Sequence, residues 1–556
     1  MPSITAILPS LWRSRWVRFI AYAGAALLAA LVGLTIWMNH KGSRDWKEAQ
    51  AMLASEGVEL DFKAMKVASV ADADNFCAIP LLKGVTAVED GDETKGEPAV
   101  KRKAVAALGL PPFHSTYSRP PVSNTEAVGM PVDLREWSDW LRKIGHPMPV
   151  TDPDHAAREV LAALSYHDAA IAEMAAAVNR PVARFLPAWT DGPMPEPMAM
   201  RKIPHLSVLQ NLSDGLSLRA KAAAQAGDVA KAHEAALILA RLAEATCEEP
   251  CVIGLLVGTT RTSILSRTVW ELGVAGSGTA EDFLRLQHAL ERLDIQGWTV
   301  RAFKEEIAVC VDGAFYMQRH RVTLLADVEG WSNWKWVSLL IPEGWFKANA
   351  ASTANLTVDY IVRPLRDRGW PDALAAQHRL HEYLSRTRAE IWWHPDKMLT
   401  VLSVPAFLRI VERTAYAQGL VDQAIIACAL ERYRIEHGGY PDTLRDLSRP
   451  GEKPLPLDIL SGAPFGYRKT EDGRYILWGV GYDGTDDGGQ NNEGTTARSK
   501  PTHRDYQGDW VWSYPTREEI AASKAPKPAP PRPVKRSKAQ KMLEKKAEPS
   551  TQKIEN

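Results

Sequence analysis

The longest uninterrupted apolar segment of the chain lies near its N-terminus. It has 20 residues without a charge, begins at Phe19 and ends at Met38. A helix of that length crosses the hydrocarbon core of a bilayer, and Trp16 and Trp37 stand near its ends, where aromatic rings favour the interface. Because no small-x-small cleavage site follows Trp37, the pattern predicts a permanent transmembrane helix over residues 19–38.

Residues 151–410 carry apolar side chains at helical spacing and predict a large helical domain. The sequence from Thr151 to Asp154 is typical of a capping box, and apolar positions at alternating four and three spacing predict one helix up to Val178. His167 falls on the apolar face of this helix, which favours a buried structural histidine. The preceding residues 43–150, with charged and Pro-rich stretches, are predicted to be loosely structured.

Two further helices are predicted over residues 205–226 and 228–247, on either side of Gly227. Residues 219–232 place small Ala side chains around that glycine and resemble one hairpin of a tetratricopeptide repeat. A working array needs at least three such units, so a helical bundle or a short solenoid is predicted.

More helices are predicted after this hairpin. Thr279 begins a second capping box, and helical patterns follow over residues 299–319 and 370–390. Trp residues are dense from Trp331 to Trp393. Such clusters line carbohydrate or peptide sites, stand at membrane interfaces, or belong to a core.

Residues 415–515 predict a small α+β domain. A helix with apolar stripes over residues 420–433 is stopped by Gly438 and Gly439, and the segments after it alternate as strands do. One helix on a small antiparallel sheet is the economical assembly, with strands predicted at residues 465–468, 474–480 and 510–514. The whole chain is therefore predicted to be α+β and mainly α.

This block carries landmarks in a fixed order, namely Tyr433-Arg434, Gly438 to Leu444, Leu460 to Gly462, Tyr475 to Trp478, and Gly484 to Gly489. In these landmarks it resembles the C-terminal globular part of the major pseudopilin of type II secretion systems. The resemblance covers about a fifth of the chain and implies a fold for that part. The family's processing signal is not matched, because Arg18 and Ala23 stand where it has Gly and Glu.

The loop after the second predicted strand is rich in hard oxygen donors. Asp483, Thr485 and Asp487, followed by Gly488 at the sixth position, match the opening of a calcium loop, in which Gly permits the sharp turn. The match ends there, because the twelfth position is Gly494 rather than a bidentate carboxylate. The loop therefore carries calcium-type ligands without completing the motif.

The pseudopilin resemblance adds a ligand set to this loop. In that family the equivalent loop binds calcium, and the resemblance implies Asp483, Asp486 or Asp487, and Asp509 as ligands of Ca²⁺. The alternative is a solvated turn whose Asp and Gly residues serve backbone geometry only. Calcium is the sole cofactor that the sequence suggests.

Charge is balanced over the chain but not along it. The formal net charge is zero, yet residues 521–556 hold ten basic residues against three acidic ones, a net charge of +7. This Lys-, Pro- and Ala-rich tail is predicted to be disordered. Its charge favours an anionic surface such as phospholipid or cell-wall polymer, or it only keeps the chain soluble. We predict no nucleic-acid partner.

Signatures of catalysis are scarce. The sequence has no P-loop, dinucleotide glycine pattern, Gly-x-Ser-x-Gly elbow or His-Glu-x-x-His motif. His378 and His381 lie one helical turn apart, which suits half of a metal pair but is more often a solvated face. Cys247 and Cys251 could close a small disulfide, bind a metal or stay as buried thiols. No catalytic residue is predicted, and a role other than catalysis is favoured.

Three function classes follow. With residues 1–18 in the cytoplasm and everything after residue 41 on the periplasmic side, the first is a single-pass bacterial envelope protein of the cytoplasmic membrane that binds or scaffolds a partner. The second is a component of a type II secretion or pilus-like assembly. The third is a cell-wall-directed hydrolase.

Overall fold

A computed structural model describes most of the chain. The described residues are 15–61, 70–86, 129–152, 154–185, 203, 205–249, 251–320, 341–490 and 508–523. Several sequence-based predictions fall outside them, including the charged loop at residues 89–103, the Trp residues at 331–336 and nearly all of the basic tail.

Helices form most of the described structure. In chain order they are α1 Arg15–Ser55, α2 Pro80–Thr86, α3 Leu134–Lys143, α4 Ala156–Ala163, α5 Asp168–Ala177, α6 His205–Ala226, α7 Val229–Cys247, α8 Val252–Ala275, α9 Ala280–Leu290, α10 Ile295–Arg319, α11 Glu343–Thr357, α12 Arg363–Arg368, α13 Trp370–Ala389, α14 Met398–His437 and α15 Arg517–Ser523. A π-helical turn, Val358–Val362, joins α11 to α12. Short helical turns are Asp72–Asp74, Phe76–Ala78, Leu164–His167, Ile391–Trp393, Pro395–Lys397 and Leu444–Leu447.

The described strands form one antiparallel sheet. They are β1 Gly466–Lys469, β2 Tyr475–Gly479 and β3 Trp510–Ser513, with β2 in the centre. Their register pairs Tyr467 with Leu477 and Leu477 with Trp512. These alternate positions point one face of the sheet at α14, so Leu477 and Trp512 are buried.

Residues Met1–Tyr514 form one compact unit, and Pro515–Asn556 form a second. The predicted helical and α+β domains both lie in the first unit, where α14 runs without interruption through residues 410–415. Of the second unit the structure describes α15, in which Thr516 and Glu519 exchange backbone and side-chain hydrogen bonds as in a capping box.

The larger of two core clusters in the described residues joins most of the helices to the sheet, and the smaller one packs α3 and α4 against α6. Helices α6, α7 and α8 supply much of the larger cluster, and α14 is buried on all sides between Val421 and Leu430. The sheet is fixed at its third strand, since Gln423 donates to the Trp510 carbonyl and Trp270 Nε1 donates to the Ser513 carbonyl at 2.9 Å. Helix α14 is therefore the element on which both parts of the unit are built.

Several predicted elements are confirmed. The structure has two helices around Gly227, whose φ of 82° ends α6, and the capping box at Thr279 is formed with Asp282. The three strands appear within one residue of their predicted bounds. Gly438 ends α14 with a φ of 80°, a left-handed conformation that glycine adopts without strain.

The predicted continuous helix up to Val178 is wrong. The chain instead forms α4, a helical turn at Leu164–His167, and then α5. Thr151 is not the N-cap of this helix, because α4 begins only at Ala156, after His155, and Glu159 accepts the backbone N–H of Asp152 at 2.6 Å. Tertiary contacts of Glu159 with Ser138 and Arg142 override the local pattern.

Candidate functional site

The first half of α1 has the properties of a membrane span. Its apolar window has a mean hydropathy of 2.2, and none of that window is buried inside the protein. Within the part of the chain that the structure describes, this is the one helix long and apolar enough to cross a bilayer. Helix α1 is also much longer than residues 19–38, because it continues to Ser55.

The second half of α1 is docked on the body of the protein along α11. Asn39 Oδ1 accepts the backbone N–H of Gly344 at 2.7 Å, and Ser43 lies 3.5 Å from Lys347 Nζ. Contacts in this order mean that α1 and α11 run parallel, both leading away from the end of the apolar segment.

Glycines allow this close approach. A Cβ atom placed on Gly42 would overlap the carbonyl oxygen of Gly344, and one on Gly344 would overlap the backbone at Met38 and Asn39. Gly33, in the apolar half of the same helix, has nothing within 4 Å of such a Cβ. The sequence pattern gave no indication of this contact, because Gly42 and Gly344 are far apart in the chain and neither lies in a recognisable motif.

A second set of contacts holds the docked half of α1 at the end that follows the apolar segment. Lys41 Nζ lies 2.7 Å from Asp396 Oδ2 and 2.7 Å from Asp45 Oδ2. Asp396 belongs to the turn before α14, and Asn349 of α11 binds both sides of that turn, donating to the Pro395 carbonyl and accepting from Leu399 N. The turn is therefore fixed beside the point where α1 leaves its apolar segment.

Ion pairs hold the other end of the docked half of α1 on the body. Glu56, just after α1, accepts hydrogen bonds from Arg363 at 2.7 Å and from Arg366. Lys304 of α10 donates to the Glu56 carbonyl. Burial favours the neutral acid, but the two guanidinium groups outweigh it and lower the pKa of Glu56. We use the term junction for all contacts between residues 38–56 and the body.

The acidic loop, residues 483–490 together with Asp509, is held by its own carboxylates. Asp509 is fully buried and accepts the backbone N–H groups of Asp487 at 3.2 Å and Gly489 at 2.7 Å. Asp483 accepts from Thr485 N and Gly508 N, so it ties the two ends of the loop together.

Asp486 faces a different neighbour. Its Oδ1 accepts Trp478 Nε1 at 2.8 Å and the backbone N–H of Gly488 at 2.9 Å. Burial, together with the charges of Asp486 and Asp487, raises the pKa of Asp509 in spite of its two backbone donors. Asp486 and Asp487 thus act electrostatically on Asp509, whereas Asp483 is bonded to the loop backbone.

The donor set of the acidic loop suits a hard cation, because every candidate ligand is a carboxylate. The oxygens of Asp483, Asp486 and Asp509 already accept N–H groups, which is the geometry of backbone caps. Within the described ranges, no group of three His, Cys, Asp or Glu side chains is arranged to hold a metal ion. Calcium binding at Asp483, Asp486, Asp487 and Asp509 stays a prediction.

Two buried acids on α14 escaped the sequence analysis. Burial and the nearby charge of Asp458 raise the pKa of Asp422 to about 7, although Gln418 donates to it at 2.9 Å. Burial also raises the pKa of Glu431, which accepts from Tyr440 Oη at 2.7 Å. Both lie among the apolar positions of this helix, and the apolar stripes alone gave no indication that these acids are buried.

The cysteines and histidines that the sequence singled out are apart from these sites. Cys247 and Cys251 are buried thiols that are not joined by a disulfide, and burial raises the pKa of Cys247. His167 lines a small cavity with Leu164, Met174, Leu212 and Arg219 that has room for about one water molecule. His378 and His381 lie on an exposed face of α13.

Comparison of the chain with protein-family models, with curated proteins and with solved structures found no match.

Proposed function

We propose that this chain is a single-pass bacterial envelope protein without catalytic activity, which holds a helical binding or scaffolding body against the periplasmic face of the cytoplasmic membrane. The apolar half of α1 supplies the anchor, and the remainder of the compact unit supplies the binding surface. The basic tail adds attraction to anionic lipid or cell-wall polymer.

One observation carries this proposal, namely that the anchor passes into the body as one helix of 41 residues. A flexible tether would let the body tumble. Here the docked half of α1 is fixed by the glycine contact at one end and by Glu56 at the other, with Trp46 packed edge-on against Phe315 between them. Such a construction holds a body at a defined position, which is the task of a scaffold.

Membrane insertion is tested by placing charge in each half of α1. The double change Leu28→Arg with Leu31→Arg puts two guanidinium groups near the centre of the apolar half, where each costs about 2.5–3.5 kcal/mol. We expect the variant to leave the membrane fraction after carbonate extraction. The matched control is Gln50→Arg, on an exposed position of the docked half, which should stay membrane-bound.

Orientation is tested by fusions after Pro515. An alkaline phosphatase fusion should be active and a GFP fusion dark, because the body is expected outside the cytoplasm. A silent phosphatase with a fluorescent GFP would overturn the orientation without touching the anchor. Cross-linking in native membranes, followed by purification of the full chain, then identifies what the body binds.

The sheet block favours a second candidate function. The second half of α14 packs on a three-stranded antiparallel sheet with an acidic loop after its second strand, and the pseudopilin resemblance implies a fold of this kind for residues 415–515. A component of a type II secretion or pilus-like assembly would be expected to cross-link to the machinery of that system. Recovery of such partners would favour this candidate over the scaffold. No residue spacing in the sequence supports the hydrolase alternative.

A further inference from the structure

Four large apolar side chains stand exposed within one short segment outside the anchor. Trp392 is 90% exposed, Trp393 84%, Leu402 71% and Met398 47%. The two indoles belong to the turn Ile391–Trp393, and Met398 and Leu402 lie one turn apart on the same face of α14. We call these four residues the interfacial patch.

The interfacial patch lies where α1 leaves its apolar segment. Asp396, between the indoles and α14, lies 2.7 Å from Lys41, which follows Met38 by three residues. At 1.5 Å per residue, that offset is about 5 Å along the helix. The same turn is bound to α11 through Asn349, and α11 begins against Asn39. The turn that carries the patch is thus held beside Lys41 by an ion pair and is held to α11 by Asn349.

The chemistry of the patch fits that level. Indole rings have an apolar body and one N–H donor, and they concentrate at the boundary between headgroups and acyl chains. Met398 and Leu402 add purely apolar surface beside them. Exposed apolar side chains that are scattered singly need no explanation, but four in 11 residues beside a membrane exit form one surface.

We infer that Trp392, Trp393, Met398 and Leu402 insert into the interfacial layer of the phospholipid bilayer that the apolar half of α1 spans. This inference rests on the proposed membrane anchor and goes beyond it. A single helix leaves the body free to tilt at the point where the helix leaves the lipid. A second contact to the side of the helix axis limits that tilt and gives the body one fixed face toward the lipid.

The test uses the full chain in liposomes of phosphatidylethanolamine and phosphatidylglycerol, labelled with a fluorophore at one introduced cysteine. The labelled variants are Trp392→Cys, Trp393→Cys and, in the anchor, Leu28→Cys. Ile253→Cys is the matched control, because Ile253 is also an exposed apolar residue and lies near Glu248, which binds Arg301 beyond the level of Glu56. The unmodified chain, with its own five cysteines, gives the background labelling.

Two quenchers read the environment of each label. Brominated lipid should quench the labels at positions 392, 393 and 28 several-fold more strongly than the label at 253. Aqueous iodide should quench the label at 253 and spare the others. That pattern would support insertion of the interfacial patch.

Other quenching results would contradict the inference, and each would identify which part of it is wrong. Iodide quenching at 392 with lipid quenching at 28 would leave the anchor intact and the patch in water. Protection from both quenchers at position 392 would mean that protein covers the patch. If this protection is lost in nanodiscs that hold one chain each, the covering protein is a second copy of the chain. Loss of lipid quenching at 28 as well would reject the anchor itself, and with it the proposed function.

Discussion

The junction and the acidic loop both use carboxylates, and they use them in opposite ways. At the junction, Glu56 binds arginines 307 and 310 residues later in the chain, and those cations lower its pKa. In the acidic loop, Asp509 accepts two N–H groups from the same loop, and burial with two neighbouring carboxylates raises its pKa. One region joins distant elements, whereas the other shapes a single turn. Changes at the junction should therefore disturb the whole unit, and changes in the loop should stay local.

The largest effect is expected at the glycine contact of the junction. Gly42→Leu places a side chain against the Gly344 backbone, which cannot move aside without separating α1 from α11. We expect a loss of about 3 kcal/mol in the free energy of unfolding, measured by urea titration of the full chain in detergent. Gly33→Leu is the control in the same helix, and its stability should be close to that of the wild type. Equal effects of the two changes would show that α1 does not dock.

A smaller and more local loss is expected from Asp509→Ala. It leaves the N–H groups of Asp487 and Gly489 without their acceptor, at a cost of about 2 kcal/mol. Asp487→Ala keeps its backbone N–H and should change the stability little. Hydrogen exchange should accelerate at residues 487–489 in Asp509→Ala and stay unchanged in α1 and α11. Faster exchange at the junction would contradict the local role of the loop.

The two carboxylates should also differ in their response to pH. Glu56 has a pKa lowered from 4.5, so its ion pairs stabilise the fold fully above pH 4.5 and are lost as the pH falls through the lowered pKa. Glu56→Gln should cost about 1–2 kcal/mol at pH 7, because both arginines are partly exposed, and nearly nothing at strongly acid pH.

Asp509 should give the opposite dependence of stability on pH. Its pKa is raised from 3.8, so its charged form is disfavoured in the fold and stability declines as the pH rises from 3.8 through the raised pKa. Asp509→Asn should remove that decline. Parallel pH profiles for Glu56→Gln and Asp509→Asn would show that the two environments do not differ as described.

The smallest effect is expected from calcium. A cation bound by Asp483, Asp486 or Asp487, and Asp509 would relieve the repulsion that raises the pKa of Asp509. At a calcium concentration equal to the dissociation constant, the full chain should gain about 0.4 kcal/mol over the chain in chelator, increasing with further calcium. Asp487→Ala should abolish the gain. Superimposed melting curves in calcium and chelator would leave the loop carboxylates as backbone caps only.

Local sequence patterns were sufficient to predict those helices and strands whose ends are determined by one or two residues. Gly227 and Gly438 end their helices because glycine adopts positive φ freely, and the turn at Gly473 fixes the register of β1 and β2. The strands β2 and β3 alternate buried and half-buried side chains, so period two identified them.

The candidate sites depended on contacts that no local pattern encodes. Lys41 and Asp396 are 355 residues apart, and nothing near either one predicts the pair. The continuation of α1 beyond Met38 was missed because residues 39–55 are polar and their docking partner lies far along the chain. The burial of Asp422 and Glu431 could not be predicted from the sequence, because it depends on the other elements that surround α14 at these positions.

The length of α14 determines how far the sheet lies from the end of the apolar segment of α1. Its first turn is held at the level of Lys41, and its 40 residues extend at most about 60 Å from there. Tyr482 Oη donates to the Glu412 carbonyl, so the sheet lies beside this rod starting about 20 Å above its base. With the anchor that we propose, the length of this helix fixes the distance between the lipid and the sheet with its acidic loop. A partner that binds the loop must do so at this distance. Adding two turns to α14 would move the loop about 11 Å further away.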